Sequence, residues 1–71
     1  MRVSRRFERG VIVTLRELRE SDEFRTLATR RVGVVLERRH DGVLVDFVDP
    51  GGVELEGIER RIHPAVRVEV A

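Results

Sequence analysis

Short valine-rich runs, each alternating apolar and polar residues and each cut off by a turn signal, recur along this chain and constrain what it can fold into. From Gly10, Val11, Val13 and Leu15 share one parity, and Ile12, Thr14 and Arg16 the other. Val32, Val34 and Leu36 repeat the pattern. Val43, Val45 and Phe47 follow, then Val53 and Leu55 with Ile58, then Val66, Val68 and Val70. A period of two is the signature of a strand with one buried face. Turn chemistry separates the runs. Asp41-Gly42 is a turn pair, and in Asp49-Pro50-Gly51-Gly52 proline presets φ while glycine supplies a positive φ. His63-Pro64 punctuates the last gap, and Gly57 marks a bulge or close backbone approach inside the fourth run. Five short strands in 71 residues predict a small, strongly bent, mainly β domain. Val34, Leu36, Val45, Phe47 and Val68 are expected to face its core.

One segment departs from the alternation. Ser21-Asp22-Glu23 reads as a helix N-cap followed by acidic first-turn residues. Phe24, Leu27 and Ala28 follow at helical spacing, and Arg30-Arg31 lie where a helix C-terminus favours cations. The pattern predicts one short helix or helical turn, about Asp22–Arg30. Residues 1–9 form a basic N-terminal arm ahead of a single domain at 10–71. The arm carries Arg2, Arg5, Arg6 and Arg9 against Glu8 alone, with Val3 and Phe7 its apolar positions. Such an arm needs a neighbour to hold it.

The run Arg31-Val32-Gly33-Val34-Val35, a charged hairpin tip, then Gly42-Val43-Leu44-Val45-Asp46-Phe47 resembles the Gly-Val…Val-x-Phe core of SH3-like barrels of the Tudor and KOW kind. The resemblance spans about half the chain and implies a five-stranded small barrel. A second likeness runs from Gly42 to Phe47 through Asp49-Pro50, Gly52, Glu54, Gly57 and Arg60-Arg61 to Pro64-Ala65-Val66. It is similar to the opening segment of MazF-type mRNA interferase toxins, which also build an SH3-like barrel. In that family a long catalytic remainder follows the segment, whereas here six residues follow Ala65.

Enzymatic chemistry finds little to work with. The chain has no cysteine, hence no disulfide, thiolate zinc site or cysteine nucleophile. His40 lies on a hairpin tip, and His63 is 23 positions away, far from chelating spacing. Ser4 belongs to the arm and Ser21 to the expected cap, and neither occupies a Gly-x-Ser-x-Gly elbow. Gly51-Gly52 follow proline in a turn with no lysine after them, so no phosphate loop is encoded. The expectation is a non-enzyme with no cofactor and no metal. No apolar run reaches 18 residues, and no signal-peptide core or lipidation motif is present. An intracellular location is expected, cytoplasmic or within a virion.

Every one of the 14 basic residues is arginine, and Lys, Asn, Gln, Tyr and Trp are missing as well. A GC-rich genome explains that bias, so arginine abundance alone does not argue for phosphate binding. Distribution is more telling. Residues 1–16 hold five arginines against Glu8, whereas residues 40–59 hold six acids and no base. A module with one basic and one acidic region suits head-to-tail contacts, which close into a ring when the rotation allows. A single core of this size rarely supplies more than about 3–5 kcal/mol, another reason to expect a partner.

The leading expectation is therefore a non-catalytic barrel subunit of a larger protein assembly, its neighbours including further copies of itself. Val3, Arg5, Arg6, Phe7 and Arg9 of the arm and Asp46, Asp49, Glu54 and Glu56 of the acidic region are the candidate protein-binding residues. The barrel resemblance extends to bacteriophage head–tail connectors, which use small barrels in this way. The alternative is a KOW/Tudor-like nucleic-acid-associated protein, with Arg38, Arg39 and His40 of the hairpin tip on phosphates. RNA-binding barrels commonly stack bases on aromatic rings, and this chain has only three phenylalanines for that task.

Overall fold

The computed structural model describes residues 7–48 and 54–71, with Val48 and residues 54–59 described through their backbone. Six antiparallel strands form one sheet: β1 (Ile12–Thr14), β2 (Glu23–Thr26), β3 (Val32–Arg39), β4 (Gly42–Val48), β5 (Glu54–Ile62) and β6 (Arg67–Val70). Their spatial order is β1-β6-β2-β3-β4-β5. Val13, Leu15, Leu18, Phe24, Val35, Val43, Val45, Phe47, Val68 and Val70 are buried together as the core. Val13 belongs to β1 and Ile62, packed on the same cluster, to β5. Strands from opposite ends of the order thus meet over one core, which requires a rolled sheet. It stays open, because no hydrogen-bonded pairing joins β1 to β5 among the described residues.

The sixth strand occupies the segment expected to be helical. Glu23–Thr26 pairs with β3 on one side and β6 on the other. Phe24 is completely buried, whereas Leu27 and Ala28, its expected helical companions, are exposed. A helix of nine residues is marginal by itself, and a strand satisfied on both edges with a buried phenyl ring is the better solution. Asp22 does not start a helix. Its Oδ2 accepts the Arg19 amide at 2.8 Å, closing a turn in which Ser21 takes φ 76°. The backbone on either side then joins β3: Ser21 N–H donates to Val35 O at 2.7 Å and Val35 N–H to Asp22 O at 2.9 Å. At the far end, Arg30 adopts φ 62° and donates to Thr26 O at 3.0 Å, reversing the chain into β3.

The only helical turn among the described residues is a 3₁₀ turn at Leu15–Glu17, where the alternation predicted a continuing strand. Three residues per turn place Leu15 and Leu18 on one side, and both are fully buried. The Thr14 amide and hydroxyl both donate to Glu17 Oε2, at 2.9 and 3.0 Å. The Leu15 amide donates to Val66 O at 2.8 Å, tying the turn to the lead-in of β6.

The β3–β4 hairpin turns through His40 and Asp41, with Arg39 opposite Gly42 as the Asp-Gly signal predicts. Its inward face is a correction. Val45, Phe47 and Val68 point into the core as expected, but on β3 the buried positions are Gly33 and Val35, while Val34 is half-buried and Leu36 exposed. A Cβ at Gly33 would lie 2.8 Å from Phe24 Cζ and 3.1 Å from Phe47 Cδ1, so both rings occupy the space a side chain would need. A bulge between Val35 and Glu37 then leaves Leu36 outside the pairing. A second register shift separates the Asp46–Glu59 and Val48–Glu54 pairs, and Gly57 falls within it. The turn at 49–52 and Val53 lie outside the described residues, as do the side chains of Leu55 and Ile58.

Core substitutions check this register. Phe47→Ala should cost about 3–5 kcal/mol and Gly33→Ala about 1–3 kcal/mol by overpacking. Leu36→Ala should cost less than about 1 kcal/mol, because it removes an exposed side chain. Urea denaturation of the three variants measures the order. A Leu36 variant as damaged as the Phe47 variant would restore the opposite register for β3.

Candidate functional site

The candidate residues divide among the arm, the acidic strands and the hairpin tip. Val3, Arg5, Arg6 and Asp49 lie outside the described residues, and Glu54 and Glu56 are placed on β5 through their backbone alone. Phe7 is half-buried and packs against the chain's own core, where the sequence reading sends it to a neighbour. The following residues are stitched to β6: Gly10, at φ 84°, donates to Val70 O at 2.8 Å, and Val70 donates back to Val11 O at 2.8 Å. Arg9 is exposed beside them and lines a recess of about 370 Å³ with Glu23, Arg25 and Glu69. The fold thus claims the arm from Phe7 onward.

The acidic strands form the far edge of the sheet. Asp46 is half-buried on the outer face of β4, opposite Val34 on β3 and Glu59 on β5. Like charges directly opposite one another destabilise a strand pair, so this register favours a cation from elsewhere. β5 is the longest strand, at nine residues, and pairs with β4 alone among the described residues. Its other edge is a row of backbone donors and acceptors of the kind that templates an added strand.

The hairpin tip is electrostatically occupied. By register Arg38 is level with Val43, and its Nη1 donates to Leu18 O at 3.1 Å. Arg39 bonds Glu37 through two contacts, Nε to Oε2 at 3.0 Å and Nη2 to Oε1 at 3.1 Å. Arg61 reaches over from β5 to Asp41 Oδ2 at 2.8 Å. His40 is exposed on the turn. The three tip candidates are therefore close together, but both arginines are already engaged within the chain. His63, the other imidazole, accepts the Ala65 amide on Nδ1 at 3.1 Å.

Local backbone geometry also splits the arginine pairs, the left-handed turn at Arg30 in one case and strand alternation in β5 in the other. Arg30 turns to Glu69 at 3.3 Å, while the Arg31 guanidinium stacks over the Phe47 ring at 4.7 Å. Arg60 falls beside Val45 in register and Arg61 beside Leu44. The sequence reading missed Arg31 and Arg60, because no local pattern joins them and only the roll of the sheet does.

The Arg39 guanidinium, bonded to both oxygens of Glu37 and adding its charge, holds that carboxyl below the usual glutamate range, and Arg61 pulls the same way. A depressed carboxylate contributes stability above its unfolded pKa and loses it as pH falls through the folded value. Arg39→Ala should therefore raise the Glu37 pKa toward the ordinary range and weaken the acid-side loss of stability. A carbon-detected NMR titration of both proteins measures it, and an unchanged Glu37 midpoint would show that the pair does not persist in solution.

Comparison with known protein families, with curated proteins and with solved structures finds no match for this chain.

Proposed function

We propose that this chain is a non-catalytic, SH3-like small-barrel subunit of a larger protein assembly, and that it docks through the outer edge of β5. The observation that carries this reading is the position of the longest strand at the end of the sheet order, paired on one side alone among the described residues. Edge strands are usually short, bulged or covered, because an open edge recruits another chain. β1, at the opposite end, follows that rule with three residues. β5 does not.

The sequence of β5 suits a chosen partner better than indiscriminate pairing. Glu54, Glu56, Glu59, Arg60 and Arg61 place charges along it, which resists self-stacking and rewards a strand of complementary charge. The opposed Asp46 and Glu59 favour a basic partner. Residues 1–6 of another copy, with Arg2, Arg5 and Arg6 around Val3, have that character. For the barrel itself, the support is the rolled antiparallel sheet, whose end strands share one core, with Gly33 beneath two phenyl rings. Engagement of both tip arginines within the chain favours assembly over nucleic acid at the tip.

Sedimentation velocity tests the reading. The full chain should associate, and deletion of residues 1–6 should abolish association while circular dichroism stays unchanged, because Phe7 and the strands are retained. Glu54→Arg with Glu56→Arg should weaken association at low salt and lose that effect at high salt, where exposed charges are screened. A full-length chain that remains monomeric, or a truncated one that still associates, would reject self-assembly through the arm.

A further inference from the structure

We infer that the recess where the start of β3 meets the end of β5 binds the terminal phosphate of a small phosphomonoester. Its volume is about 500 Å³, and it is lined by Thr29, Arg31, Phe47, Arg60, Arg61 and Ile62. That volume lies within the span of small-ligand pockets, about 300–1,000 Å³. Three arginines are among the residues that line it, and no carboxylate does so among the described residues.

Arg31 gives the recess its chemistry. Its guanidinium is held over the Phe47 ring, 4.7 Å from the ring centre, which limits where the donor fork can lie. Its Nη2 is buried and has no hydrogen-bond partner. A buried charged donor left unsatisfied is costly, and an oxyanion in the recess relieves that cost once the guanidinium turns Nη2 outward. Arg60 is exposed and forms no ion pair among the described residues. Arg61 is matched by Asp41 at 2.8 Å, so two of the three positive charges have no carboxylate against them among the described residues. A phosphate monoester carries about −1.5 to −2 charges near neutral pH, which matches that surplus better than a single carboxylate does. The Thr29 hydroxyl adds a polar group on one side. Phe47 and Ile62 form an apolar wall on the other, against which the organic part of the ester packs.

The absence of a lining carboxylate among the described residues distinguishes this recess from the one beside Arg9. There Arg25 Nε is also buried and unpartnered, but Glu23 and Glu69 line the same space and repel an anion. The inference does not depend on assembly through β5. Sedimentation reads that proposal, and ligand titration reads this one.

The test is an NMR titration of the full chain at low ionic strength. The probes are inorganic phosphate, a nucleoside 5′-monophosphate, a sugar monophosphate, the parent nucleoside and acetate. Phosphate should shift the Arg31 Nε–H and Phe47 ring signals in a saturable way. At least one monoester should bind more tightly than inorganic phosphate, and which one does so identifies the organic part. Arg60→Ala, an exposed change that leaves the core intact, should weaken phosphate binding about tenfold or more, the loss expected for a charged hydrogen bond. Arg31→Lys should do the same, since lysine keeps the charge without the planar fork. Arg67→Ala, at an exposed position of β6, should change nothing. Absence of saturable shifts, equal competition by acetate, or equal loss in the Arg67 and Arg60 variants would overturn the site.

Discussion

The rings of Phe24 and Phe47 meet edge to face, centroids 6.1 Å apart and planes 72° to one another, over the one inward position of β3 that has no side chain. Gly33 is level with Phe24 on β2 and with Phe47 on β4. Three central strands therefore converge on one close approach, and any residue larger than glycine forces them apart. Much of the remaining geometry follows. With Phe24 drawn down onto β3, the segment around it, Glu23–Thr26, becomes a strand that bridges β3 to β6. With Phe47 fixed from below, its outer ring face supports Arg31. The contact fixes the roll of the sheet, and the roll brings Val13 and Ile62, at opposite ends of the strand order, over the same core.

Much of this was legible in the alternation, and the parts that were not share a physical cause. Val43, Val45, Phe47, Val68 and Val70 follow period two with polar or half-exposed residues between them, and each lies inward as read. Arg31-Val32-Gly33-Val34-Val35-Leu36 is apolar on both parities, so counting large side chains favours Val34 and Leu36. The rings that cover Gly33 come from β2 and β4, beyond the reach of a local pattern. Phe24, Leu27 and Ala28 satisfy helical spacing for the same reason. Their spacing is silent about the two flanking strands that claim Phe24. Leu15 and Leu18 were hidden by the strand preceding them, and only a 3₁₀ turn buries both.

The candidate sites were legible as charge and not as geometry. Adjacent arginines look like basic patches in the sequence, yet strands send neighbours to opposite faces and the left-handed turn at Arg30 parts it from Arg31. Arg30 reaches Glu69 while Arg31 lies on Phe47. At the tip, a bidentate bond to Glu37 and a contact with the Leu18 carbonyl absorb two guanidinium groups that the sequence presents as available. Exposed ion pairs of this kind contribute only about 0–1 kcal/mol to stability. Their larger effect is to decide which arginines still have donors to offer.

That sorting ties the two proposed surfaces to one strand. β5 contributes its outer backbone edge to one and the side chains of Arg60 and Arg61 to the other. Its N-terminal half carries Glu54, Glu56 and Glu59, and its C-terminal end carries the two arginines. A basic segment laid along this edge is attracted by the first half and repelled by the second, so charge alone sets where it lies along the strand. Backbone pairing by itself would tolerate a slip, because every residue offers the same donor and acceptor. A negative ligand in the recess would lessen the repulsion at the arginine end. On the two proposals, the charge gradient along β5 would link the surfaces without any movement of the fold.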